Sequence, residues 1–220
     1  MPRTWDPDSV PPDVALQRLL EGNVRFRSGN GRIATLRPDL AEIVQRPFAI
    51  VVGCSDSRTP VEILFDQGFG DLFVVRVAGN VASPAVLGSV EFGASQFGSR
   101  LVLVLGHTRC GAVMATLDAV ESGYSPESSH IAMITDLIAP TVIPLFVGPN
   151  ALSKEERPKA ALRANAVASA NALTQRSALL ADLVESGRLA VVSAEYALET
   201  GEVVIIDDGG LLRRDSEEQT

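Results

Sequence analysis

The chain has two cysteines and two histidines, and three of these four residues fall in two short segments, CSDSR at 54–58 and HTRCG at 107–111. The spacing of His107 and Cys110 suits a turn entering a helix, where residues three apart point the same way. Add Cys54 and the result is two thiolates and one imidazole. That donor set suits zinc, and three protein donors leave one tetrahedral position to water or substrate. Two residues past Cys54, Asp56 is close enough to accept a hydrogen bond at that position. Arg58 can keep Asp56 ionised through a two-pronged pair. A carboxylate so near could also take the fourth position itself. Each residue alone has a plainer reading. A cysteine after an apolar strand is often core, and Asp56–Arg58 could be a loop salt bridge. Their convergence in two loops favours the metal.

Strands must carry these loops. FAIVVG (48–53), DLFVVRV (71–77), RLVLVLG (100–106) and RLAVVSAEYA (188–197) are short, β-branched and nearly continuous, as in parallel strands covered on both faces. The two reactive segments begin directly after the first and third of these runs. EVVIID (202–207) follows a Glu-Thr-Gly turn signal and reads as an antiparallel edge strand. Helical stretches alternate with the strands. They comprise residues 12 to 27, from Ser83-Pro84 towards Phe97, after Cys110, near His130, and about 155 to 186. The expected fold is therefore α/β: a mostly parallel central sheet with an antiparallel edge strand, flanked by helices. Ligands of such sheets gather at the carboxyl ends of the strands. A single domain is expected over 1–220, with an N-terminal helical arm (1–46), a catalytic core (47–208) and a tail (209–220). The arm helix packs either on a neighbouring subunit or on the body.

Composition narrows the function. A net charge of −8 disfavours a phosphate backbone as partner. No apolar run reaches the ~20 residues of a membrane helix. The N-terminus lacks the basic start and apolar centre of a secretory signal, so a cytoplasmic protein is expected. His130 reads as a surface or capping residue, Asp207-Asp208 before Gly209-Gly210 as a turn, and Trp5 as a packing or docking group. The acidic residues Asp215, Glu217 and Glu218 read as a solvated tail. A zinc nucleobase deaminase is excluded by Arg109 where that chemistry needs Glu, and by the missing Cys-x-x-Cys pair.

At CSDSR and HTRCGA the sequence resembles the β-carbonic anhydrases, whose signature is Cys-x-Asp-x-Arg followed roughly fifty residues later by His-x-x-Cys. LLEGNVRF (19–26), FDQGFGDLFVVRVAGN (65–80) and LGSVEFGASQFGSRLVLVLGH (87–107) extend the resemblance, and VVSAEYALETGEV (191–203) continues it more loosely. It implies reversible hydration of carbon dioxide to bicarbonate and a proton by a zinc-bound hydroxide. Cys54, His107 and Cys110 would be the ligands, and Asp56 and Arg58 the orienting pair. It further implies a substrate pocket including Gln45, Phe73, Ala78, Phe92 and Gly111, and a homodimer or homotetramer whose clefts lie at the subunit interface, so that Gln45 and Phe73 serve a partner's zinc. Ala78 departs from the valine of many members and Phe92 from the tyrosine of plant-like ones. The subgroup that closes its site with the aspartate carries tryptophan at the position of Val51, so the open form is expected here. Two other functions share these residues. One is hydrolysis of carbonyl sulfide or carbon disulfide, the same attack on another linear triatomic. The other is a non-catalytic, zinc-stabilised regulatory protein, which requires Asp56 as a permanent fourth ligand.

Overall fold

The computed structural model describes residues 9–31, 45–124, 126, 128–148 and 151–211. The expectations for Trp5 and for the tail residues Asp215, Glu217 and Glu218 lie outside them. In chain order the elements are α1 (Pro12–Arg27), β1 (Ala49–Gly53), α2 (Val61–Leu64), β2 (Leu72–Arg76), α3 (Pro84–Phe97), β3 (Leu101–His107), α4 (Gly111–Ser122), α5 (Ser129–Val142), α6 (Arg157–Gln175), α7 (Ala178–Glu185), β4 (Ala190–Tyr196) and β5 (Val203–Asp207). The described strands form one sheet in the order β2-β1-β3-β4-β5, parallel except for the antiparallel β4–β5 pair.

Every residue of β1 and β3 is buried, which explains their continuous apolar runs. Alternate side chains feed opposite faces. Ala49, Val51, Leu101, Leu103 and Leu105 join Leu16 and Leu19 of α1 on one side. Ile50, Val52, Val102 and Val104 meet Val86 and Val90 of α3, Leu173 of α6 and Leu180 of α7 on the other. Full burial of a Val, Leu or Ile is worth ~1.5–3 kcal/mol, so these two layers, rather than the cysteines, carry the folding.

The arm helix α1 packs on the body of its own chain through Ala15, Leu16 and Leu19. A Cβ at Gly22 would lie 1.7 Å from the carbonyl oxygen of Phe65, so α1 rests directly on backbone. The next residue, Asn23, is 3% exposed. It donates to the carbonyls of Leu64 and Gly201 at 3.2 and 2.9 Å and accepts from the Val203 N–H at 3.0 Å. One amide thereby satisfies three backbone groups, each costing ~1–3 kcal/mol if buried unpaired.

Two boundaries differ from the expected ones. The helical stretch from 155 to 186 is two helices, because the Ser177 hydroxyl accepts from the Leu180 N–H as a new N-cap while donating to Glu91 Oε1 at 2.6 Å. His107 is the last residue of β3, paired with Tyr196, rather than the first of a loop. Asp207 and Asp208 form the expected turn, accepting from the N–H groups of Gly209 and Gly210. His130 is exposed in the first turn of α5, which Ser128 caps.

Candidate metal centre

From β1 the chain proceeds to β2 on one side, whereas β3 lies on the other. The crevice past the carboxyl ends of β1 and β3 is thus the point where strand order reverses, the place where ligands bind in open α/β sheets. Cys54 directly follows β1, His107 ends β3, and Cys110 is the N-cap of α4. A left-handed residue between the last two, Arg109 (φ 57°), turns the chain tightly enough to bring both inward. The exposed Arg109 side chain is met by Glu199 at 2.8 Å.

The ligating atoms of Cys54, His107 and Cys110 all lie within 4.8 Å of one another, and all three residues are buried. The two sulfurs are 3.9 Å apart. Two Zn–S bonds of ~2.3 Å at a tetrahedral angle separate their sulfurs by ~3.8 Å, whereas a disulfide needs ~2.05 Å. His107 Nδ1 faces the Thr108 carbonyl at 2.9 Å. A carbonyl only accepts, so Nδ1 carries the proton and Nε2 presents a lone pair. That Nε2 is buried and has no hydrogen-bond partner among the described residues. A buried acceptor without a hydrogen-bond partner, beside two thiols, fits a soft metal. The surroundings are dry: Val81, Val113, Leu117, Ile138, Val142 and Leu162 pack around the cysteines.

Charge is unevenly divided between the thiols. Cys54 is pulled down to about 4, first by the Cys110 thiol that donates to it, against the opposing effect of burial, with further help from the backbone N–H groups of Asp56 and Gly79. The same contact, with burial, pushes Cys110 far up, although the Ala112 and Val113 N–H groups at the start of α4 favour its thiolate. A cation bound between both sulfurs would take the place of that shared proton.

Asp56 lies beside this group, and its carboxylate engages Arg58 from three directions. The Arg58 N–H and Nε each donate to Oδ1 at 2.9 Å, and Nη2 donates to Oδ2 at 2.7 Å. The guanidinium holds the Asp56 carboxyl well below the usual carboxylate range. Arg76 on β2, which the sequence gives no reason to single out, braces the loop by donating to the carbonyls of Cys54 (2.9 Å) and Asp56 (2.6 Å).

The expected pocket residues are placed less uniformly. Ala78 lies immediately before Gly79, whose N–H donates to Cys54 Sγ at 3.4 Å. Phe73, on edge strand β2, packs with Phe92 and Phe97 of α3 at ring-centroid distances of 6.2 and 5.6 Å, and Phe92 is 51% exposed. Gln45 is exposed ahead of β1. Gly111 opens α4, and a Cβ there would meet nothing within 4 Å. Gly106, by contrast, is closely packed: a Cβ there would meet Ala166 of α6 at 3.2 Å.

A dry cluster of soft donors at the switch point of a parallel sheet places the chain among α/β proteins built to hold a metal there. Comparison with known proteins narrows that class. A family model described as carbonic anhydrase matches residues 49–203. The carbonic anhydrase of Mycolicibacterium smegmatis is 40% identical over 87% of this chain and 92% of its own length. Carbonic anhydrase 2 of Mycobacterium tuberculosis is 37% identical over 90% and 95%. The solved structure of the β-carbonic anhydrase CcaA superposes with a TM-score of 0.67 at 26% identity, covering 90% of this chain and 89% of that one. The chain belongs to the carbonic anhydrase family of enzymes, in its β class.

Proposed function

We propose that this chain catalyses the reversible hydration of carbon dioxide to bicarbonate and a proton, with one zinc ion held by Cys54, His107 and Cys110. The observation that carries the proposal is the buried, unpartnered Nε2 of His107 facing two cysteine sulfurs 3.9 Å apart. Zinc, when bound, supplies a Lewis acid that takes the pKa of water from ~15.7 towards ~7 and so makes it a nucleophile at neutral pH.

The chain's own residues do the rest. Thr108 fixes the tautomer and orientation of His107. Asp56, ionised and held by Arg58, accepts the hydrogen bond of the attacking O–H and turns its lone pair towards the carbon. Because both carboxylate oxygens are engaged by Arg58, Asp56 is restrained from taking a ligand position, which favours the open site over a closed, regulatory one. Val81, Val113 and Ile138 keep bulk water away. Ala78, Gly111 and Phe92 shape the pocket, and Gln45 and Phe73 of one subunit serve the site of a partner in a homodimer or homotetramer. The position of Phe73 on an edge strand and the exposure of Phe92 support that arrangement. Two free cysteines suit a reducing cytoplasm, and no described helix is long and apolar enough to cross a membrane.

Elemental analysis combined with stopped-flow assays on one preparation tests the reading. The expected result is one zinc per chain and carbon dioxide hydration far faster than carbonyl sulfide hydrolysis. A preparation free of metal yet fully active, or one confined to the sulfur substrate, would contradict it.

A further inference from the structure

Cys54 is oriented by more than its own loop. Its sulfur accepts the Gly79 N–H at 3.4 Å, and the carbonyl of Gly79 accepts from Asn165 Nδ2 on α6 at 2.8 Å. Position 79 favours glycine: its φ is 71°, and a Cβ would lie 2.9 Å from Ile138 Cδ1 and 3.1 Å from Ala112 Cβ. Glycine is also the residue least able to hold its own dihedrals. Its N–H keeps its aim only if the flanking peptides are pinned from outside. The Asn80 N–H to the Val77 carbonyl closes the turn on one side, and Asn165 supplies the pin from across the core. Asn165 is 2% exposed and sits on the buried stripe of α6 with Leu162, Ala166 and Leu173, where apolar residues would otherwise be expected. The close approach of Ala166 to Gly106 brings α6 within reach.

We propose that Asn165 is a positioning residue of the metal centre: by fixing the Gly79 backbone it aims an N–H at the Cys54 sulfur and thereby tunes that ligand. The inference rests on the reading of Cys54 as a zinc ligand. An N–H···S bond does two things at such a site. It holds the sulfur where the ion needs it, and it withdraws electron density from the thiolate, keeping the metal a stronger Lewis acid. A buried asparagine that merely satisfied a carbonyl would affect stability and neither of these.

Zinc affinity by chelator competition and the sulfur-to-cobalt charge-transfer band of the cobalt-substituted protein separate the two cases. The full chain is compared with Asn165→Ala, Asn165→Asp and, as a packing control, Leu173→Ala, which removes a fully buried side chain from the same helix without touching Gly79. Both Asn165 variants should bind zinc about tenfold more weakly, the lower end of such outer-shell effects, and their charge-transfer band should move to lower energy as Cys54 becomes a stronger donor. Leu173→Ala should melt earlier with unchanged affinity and band. Unaltered affinity and band in both Asn165 variants would overturn the proposal. So would an equal loss in Leu173→Ala, or failure of both Asn165 variants to fold, which would assign the residue to the scaffold. If the unsubstituted chain binds neither zinc nor cobalt, the metal reading itself fails, and the inference falls with it.

Discussion

Cys110→Ser is expected to leave the fold intact, strip the protein of zinc and lower carbon dioxide hydration by at least ~10⁴-fold, because water without the ion stays a poor nucleophile at neutral pH. The fold survives because the two apolar layers around β1 and β3 are built without this side chain, and serine is nearly the same shape. The metal does not survive, because a hydroxyl is a harder and far less acidic donor than a thiol. Cys54→Ser should behave alike. His107→Ala should have the same effect on metal and activity, but it also leaves a void in a residue only 1% exposed and frees the Thr108 carbonyl, so its melting temperature should fall as well. Metal content by plasma emission, circular dichroism and stopped-flow hydration check all three. A variant that retains stoichiometric zinc and full turnover would remove that residue from the ligand set.

Asp56→Asn should retain zinc and turn over ~10²–10³-fold more slowly, the range seen when one preorganised polar group is lost from a reaction centre. The amide keeps the shape of the carboxylate but loses the charge that draws Arg58 into its two-pronged grip. The pH dependence makes the test sharper. Since Arg58 depresses the folded-state pKa of Asp56, the stability of the pair is present above the unfolded value of ~3.9 and is lost only as pH falls through the lower folded value. Nothing titrates at Asp56 between pH 6 and 9. The variant should therefore lose the same factor at every pH in that window, with the shape of the kcat/KM profile unchanged. A loss confined to one limb would mean that Asp56 itself exchanges the proton, and undiminished turnover would remove it from the mechanism.

Much of this was readable from side-chain type and period. Continuous β-branched runs mark β1 and β3 because both faces of each are covered, and the proposed ligands follow because they sit where those runs stop. What sequence conveys poorly is contact across the fold. Gly79 acts on Cys54 through a backbone N–H, which no residue type announces. Asn165 is 86 positions from the carbonyl it holds; its one trace in the sequence is an amide on a buried stripe otherwise made of small and apolar residues. Arg76 looks like an ordinary strand-end charge until its guanidinium is found on the Cys54 and Asp56 carbonyls. The break between α6 and α7 is hidden for a related reason. An Ala- and Leu-rich stretch favours continuous helix, and Ser177 interrupts it only because its hydroxyl has Glu91 of α3 to bond.

X-ray absorption at the zinc edge of the purified enzyme tests the central claim most directly. The predicted spectrum has two sulfurs at ~2.3 Å and two nitrogen or oxygen neighbours at ~2.0–2.1 Å, one of them imidazole, and Asp56→Asn should leave it unchanged. A zinc shell without sulfur, with a single sulfur, or with a light-atom neighbour that disappears in Asp56→Asn would contradict the open, three-residue site.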